Sequence, residues 1–226
     1  MNKGAVKIIL VGLAVLLALL VGTKLRERSQ NAQVVRTLLD SVATMRQKQG
    51  VENAALQARF DRIDLDGYLK PAKLASTQAL QDGLADLDRF RALLVERDQL
   101  AAAQVAQAHA LLTALPRGTL RDQALQGEAS TSGHNHDMQT RLSQAQNANA
   151  DALQAVFDWA NLHHHALHVQ GDKLLVDGQQ PLDELNTLQT QLRATGQTVM
   201  AAIEVARTAQ SQSRRDLAKI REDLDK

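Results

Sequence analysis

The chain contains no cysteine, which excludes disulfides, thiolate metal sites and a cysteine nucleophile. It does not fix a compartment, since secreted proteins also do without cysteine. Aromatic residues make up only 2% of the 226 positions, whereas compact enzyme cores rely on them for bulk. Only three prolines interrupt the chain. A glycine-rich phosphate loop, a G-x-S-x-G elbow and an H-E-x-x-H helix are all missing, so no catalytic constellation presents itself. Neither an enzyme nor a cofactor is expected.

Charge of one sign is also scarce. The whole chain carries a formal +1, but Lys3, Lys7, Lys24, Arg26 and Arg28 against Glu27 put +4 into residues 1–28. The rest is mildly acidic and has no basic stripe, which argues against nucleic acid as a partner.

What is present begins with a run of sixteen uncharged residues between Lys7 and Lys24, apolar on every face. With Ala5, Val6 and a snorkelling Lys7 the run approaches the ~20 residues that cross a bilayer. Residues 1–23 therefore read as an uncleaved signal-anchor, with 5–23 in the lipid. The stretch after the run lacks a small-x-small pattern, which disfavours a cleaved signal peptide. Counting Lys and Arg leans towards a cytoplasmic body. The very short basic tail leans the other way and is preferred, giving a single-pass protein with an extracytoplasmic (periplasmic) body.

Beyond the anchor, apolar residues recur at steps of three and four. Leu38, Val42, Met45, Leu56 and Phe60 form one stripe, and Leu80, Leu87, Leu94, Ala101, Val105 and Leu112 form the second. Leu142, Leu153, Val156 and Ala160 form the third; Leu185, Leu192, Val199, Ile203 and Ala206 form the fourth. Such spacing puts one apolar seam on each helix. Pro71 and Pro181 fit first helical turns, where a missing N–H costs nothing, and Asp183 and Glu184 suit the positive end of the last helix. Pro116 closes the second helix. The expected fold is all-α: an N-terminal transmembrane helix, then an elongated antiparallel four-helix bundle over 24–226. Its helices should cover about 24–63, 71–114, 137–169 and 181–225. Residues 126–136, with two glycines and a Ser/Thr cluster, read as a loop, after a short helix at 118–126.

The stretch "NLHHHALHVQGDK", residues 161–173, holds four of the seven histidines and is the densest chemistry in the chain. His164 and His168 are four apart, a separation that lets two imidazoles share a metal. Up-down threading brings the first inter-helix connection to the same end, so Asp64 and Asp66 could complete a zinc or nickel site. Trp159, Tyr68 and His163 could instead line a ligand pocket. The plainer reading makes the histidines the C-terminal turns of helix three, closed by Gly171. A variant makes 169–174 a small hairpin with Gly171 and Asp172 at its tip. The plainer reading is preferred. "DLDG" at 64–67 fails as a calcium loop, because Arg62 and Lys73 stand where carboxylates are required.

The function these features suggest is a membrane-anchored, non-enzymatic helical module acting through protein contacts or self-association. The alternative is a sensor-like module that binds a ligand or metal near His163–His168.

Overall fold

The computed structural model describes residues 29–224; the anchor expected at 5–23 lies outside them. No helix among the described residues is long and apolar enough to cross a membrane. The described residues are mostly helical. In chain order it has α1 (Ser29–Phe60), a 3-10 turn (Leu65–Leu69), α2 (Pro71–Leu74), α3 (Thr77–Thr113) and α4 (Thr119–Leu162). A second 3-10 turn (His164–Ala166), strands β1 (Leu167–Gln170) and β2 (Lys173–Val176), and α5 (Gln179–Leu224) complete it.

The chain divides into two compact units, and the long helices contribute to both. The described part of the first holds 57–96 and 141–202. Here Arg91 of α3 bonds Asp151 and Gln154 of α4. Asn149 of α4 receives Thr195 of α5, and Trp159 of α4 reaches Glu184 of α5. Numbers rise on α4 as they fall on α5, so the two run antiparallel. Phe157, Leu80, Leu87, Leu94 and Val156 are the largest fully buried side chains, all in this unit. Phe60 meets Phe90 edge-on at 5.6 Å.

The described part of the second unit holds 29–56, 97–140 and 203–224. Leu38, Val42 and Met45 of α1 pack with Ala108 and Leu112 of α3 and Ala124 of α4. Polar side chains interrupt this seam. Gln104 is buried and donates to Asn53 at 3.1 Å. Arg97 is 3% exposed and bonded to Asp98 at 2.8 Å. Glu128 is buried against His109 at 2.7 Å. Among the described residues Arg46 Nη2 and Gln49 Nε2 are buried without a partner, and burial pushes the Arg46 guanidinium below its ordinary value.

Several boundaries differ from the sequence expectation. Residues 126–136 are not a loop but the continuous middle of α4, which starts at Thr119 rather than 137. Gly127 and Gly133 cost only ~1 kcal/mol each in a helix, and burial of one face overrides that. Ala124, Glu128 and Met138 lie buried along this face. Ser130 turns its hydroxyl onto Gly127 O, so its polar group needs no loop. The second helix begins not at Pro71 but at Thr77, after the separate four-residue α2. Ser76 caps it, accepting from Ala79 N–H at 3.3 Å. The last helix starts two residues before Pro181. Asp183 and Glu184 therefore sit in its second turn, where Gln179 and Gln180 donate to them. The third helix stops at Leu162, short of 169.

Candidate functional site

The histidine cluster leaves the helix and enters a hairpin. His163 follows α4, His164–Ala166 form the 3-10 turn, and His168 lies in β1. The preferred reading, a helix end, is therefore replaced by the variant with Gly171 and Asp172 at a hairpin tip. The physical cause is local: Gly171 adopts φ +61°, which reverses the chain without a Cβ clash. The flanking "LHVQ" and "KLLV" then pair antiparallel, His168 opposite Leu175 and Gln170 opposite Lys173. Asp177 N–H extends the ladder to Ala166 O at 2.9 Å.

The side chains with chemical potential each hold the chain's own turns. His164 Nδ1 lies 3.1 Å from Asn161 O. His168 Nε2 lies 2.8 Å from Asp177 Oδ2, tying the hairpin's two ends. Asp64 accepts from Gly67 N–H at 3.2 Å and caps the first 3-10 turn. A Cβ at position 67 would stand 2.6 Å from Asp64 Oδ2, so the Asp64 carboxylate would have to shift to admit one. Asp66 is exposed. Among the described residues no group of three or more His, Cys, Asp or Glu side chains is placed to hold a metal. His164, His168, Asp64 and Asp66 therefore do not converge as the metal reading required.

The three residues proposed for a ligand pocket each have partners within the chain. Trp159, 6% exposed, lies under the His163 ring with centroids 5.0 Å apart. Trp159 Nε1 donates to Glu184 Oε2 at 3.2 Å, and His163 Nε2 lies 3.2 Å from the same oxygen. This knot fastens the end of α4 to the start of α5. Tyr68 meets Phe157 edge-on at 6.2 Å, with its hydroxyl on Asp86 at 2.9 Å. Its ring fills the slot left by Gly83, where a Cβ would stand 3.1 Å from Tyr68 Cγ.

The Tyr68 phenol is held above its ordinary value, first by burial, then by donation to Asp86 and the negative charge of Asp86 and Asp82. A raised folded-state value adds stability below the unfolded pKa, and that stability is lost as pH climbs through the folded value. Tyr68 is the sole tyrosine, so phenolate absorbance reports it directly. Its alkaline midpoint should lie above that of the denaturant-unfolded chain, and Asp86→Asn should lower it. Coincident curves for folded and unfolded chain would refute the assignment.

Sequence reasoning missed a second feature of this unit. Lys173, Leu174, Leu175 and Val176 all line one groove with Leu69, Leu74, Leu182 and Leu185, of about 400 Å³. Its walls are β2, α2 with the preceding 3-10 turn, and the first turns of α5. The "KLLV" run was the available signal: a short apolar segment after a glycine turn. No family model, no curated protein and no solved structure matches this chain.

Proposed function

We propose that the protein is a membrane-anchored, non-enzymatic helical module that works through contacts with other proteins. In this reading residues 5–23 cross the bilayer once, and an antiparallel four-helix body stands on the extracytoplasmic side. One observation carries it. His164, His168, Asp64 and Trp159 each bond a group of the chain's own turns or helix ends, and Tyr68 bonds Asp86 within α3. The groups best suited to chemistry thus act as structural ties, and what remains for function is surface. The sixteen-residue uncharged run supports the anchor.

A second reading, a ligand-binding module at this end of the first unit, is favoured by the Trp159–His163 pair alone. Ligand binding there would raise the melting midpoint as concentration passes Kd, with Trp159 fluorescence as the reporter.

The anchor is tested by alkaline carbonate washing of membranes from cells making the full chain. The protein should remain in the pellet and keep Met1. Release of a chain lacking the first ~22 residues would mean a cleaved signal peptide. Protein contacts are tested by cross-linking in the same membranes. A specific adduct with another protein supports the reading; recovery of uncross-linked protein alone, at every cross-linker length, opposes it.

A further inference from the structure

We propose that the groove beside β2 receives an extended, acidic peptide segment of a partner protein, which adds to β2 as a third strand. The inference rests on the protein-contact reading above and names the chemistry of the contact. Successive side chains of a strand point to opposite faces, yet four consecutive residues, 173–176, line the same groove. A groove touched by all four residues takes in their backbone as well as their side chains, as a groove along a strand's edge does.

The backbone of that edge faces away from β1. Asp177 N–H bonds Ala166 O, and with the register of β1 and β2 this makes Ala166–Asp177, His168–Leu175 and Gln170–Lys173 the hydrogen-bonded pairs. Leu174 and Val176 occupy the alternate pairs, so their N–H and C=O groups point away from β1. The two-stranded sheet supplies no third strand to take them. An extended peptide satisfies such groups by strand addition, and side-chain pockets beside the edge select its residues. Leu69, Leu74, Leu182 and Leu185 make that pocket apolar, and its volume of about 400 Å³ is within the usual range for bound ligands, roughly 300–1,000 Å³.

Charge selects the occupant. Lys173 lines the groove, while Lys70 and Lys73 flank the lining residues Leu69, Pro71 and Leu74 and are exposed. None of the three lysines forms an ion pair among the described residues. At the other end of β2, Asp177 is engaged by His168. A segment with alternating apolar residues and an acidic end towards Lys173 complements this arrangement.

The test uses the full chain in detergent micelles and a fluorescent synthetic peptide alternating valine and threonine, ended by two glutamates. Anisotropy should show saturable binding. N-methylation of alternate peptide amides should weaken it by at least about tenfold, the equivalent of one or two hydrogen bonds. Val176→Pro removes one outward N–H and leaves the hairpin's own bonds intact, a position where an edge strand tolerates proline; it should weaken binding similarly. Lys173→Glu should weaken the glutamate peptide and not a lysine-ended one. The N-methylated peptide leaves the protein untouched, so the result does not depend on how a variant folds. Absent saturation, or equal affinity for the methylated peptide, overturns the proposal. So does concentration-dependent dimerisation abolished by Val176→Pro, which would give the edge to a second copy. A cross-linked partner in membranes without peptide binding removes the groove and leaves the protein-contact reading standing.

Discussion

Replacing Leu153 with aspartate is expected to cost at least about 4 kcal/mol and to lower the thermal midpoint steeply. Leu153 is 3% exposed on the inward face of α4. Removing a buried leucine forfeits its transfer energy and leaves a cavity, and a carboxylate placed there has no partner. Asn147→Asp, on the exposed side of the same helix, should cost under ~1 kcal/mol. Thermal unfolding of the full chain in detergent, followed by circular dichroism, separates the two. Equal midpoints for both variants would disprove the inward assignment of Leu153.

The second large effect is expected from Phe157→Ala, at about 3–5 kcal/mol. Phe157 is 0% exposed. It packs nearly perpendicular to the Tyr68 ring, and its own ring lies 3.3 Å from the Cβ that Gly83 lacks. Three elements thus meet at one ring: the 3-10 turn after α1, the start of α3, and α4. Phe157→Leu, which restores most of the volume, should recover more than half of the loss. Denaturant midpoints measure this, and a loss below about 1 kcal/mol for the alanine variant would show that the ring is not the junction.

Phe157 also marks where the sequence was legible and where it was not. Leu153, Val156 and Ala160 follow the step of three and four and are all buried. Phe157 lies one position off that stripe and is buried as well, because α4 faces both α3 and α5 in this unit and needs a wider apolar arc than a single seam. On α3 the stripe pointed to Val105, which is 45% exposed. Gln104 takes the inward position instead, held by Asn53. Apolarity alone cannot reveal a polar residue whose partner lies 51 positions away in the chain. The helix running through 126–136 was hidden for a related reason: glycine and serine argue for a loop locally, and packing decided otherwise.

The candidate site divides along the same line. Trp159 and His163, both named for the pocket, do meet, with ring centroids 5.0 Å apart. Gly171 as a chain-reversal point was also legible, since its position between two apolar runs is local information. Tyr68 was grouped with Trp159 by threading alone, and the slot at Gly83 draws it to Phe157. The strand edge carries no side-chain signature, because its groups are backbone atoms common to every residue.

The buried amide of Gln104 in the second unit has a consequence for alignment. Leucine and alanine seams are degenerate: one helix can slip along another by a turn and still find apolar neighbours. Gln104 and Asn53 remove that freedom. A slip of one turn, about 5.4 Å, would separate their side chains and leave a desolvated amide on α3 without a partner, at roughly 1–3 kcal/mol. A slid position that parts Gln104 from Asn53 forfeits this bond, so a pair that adds little net stability acts as a vernier mark between two otherwise interchangeable scales.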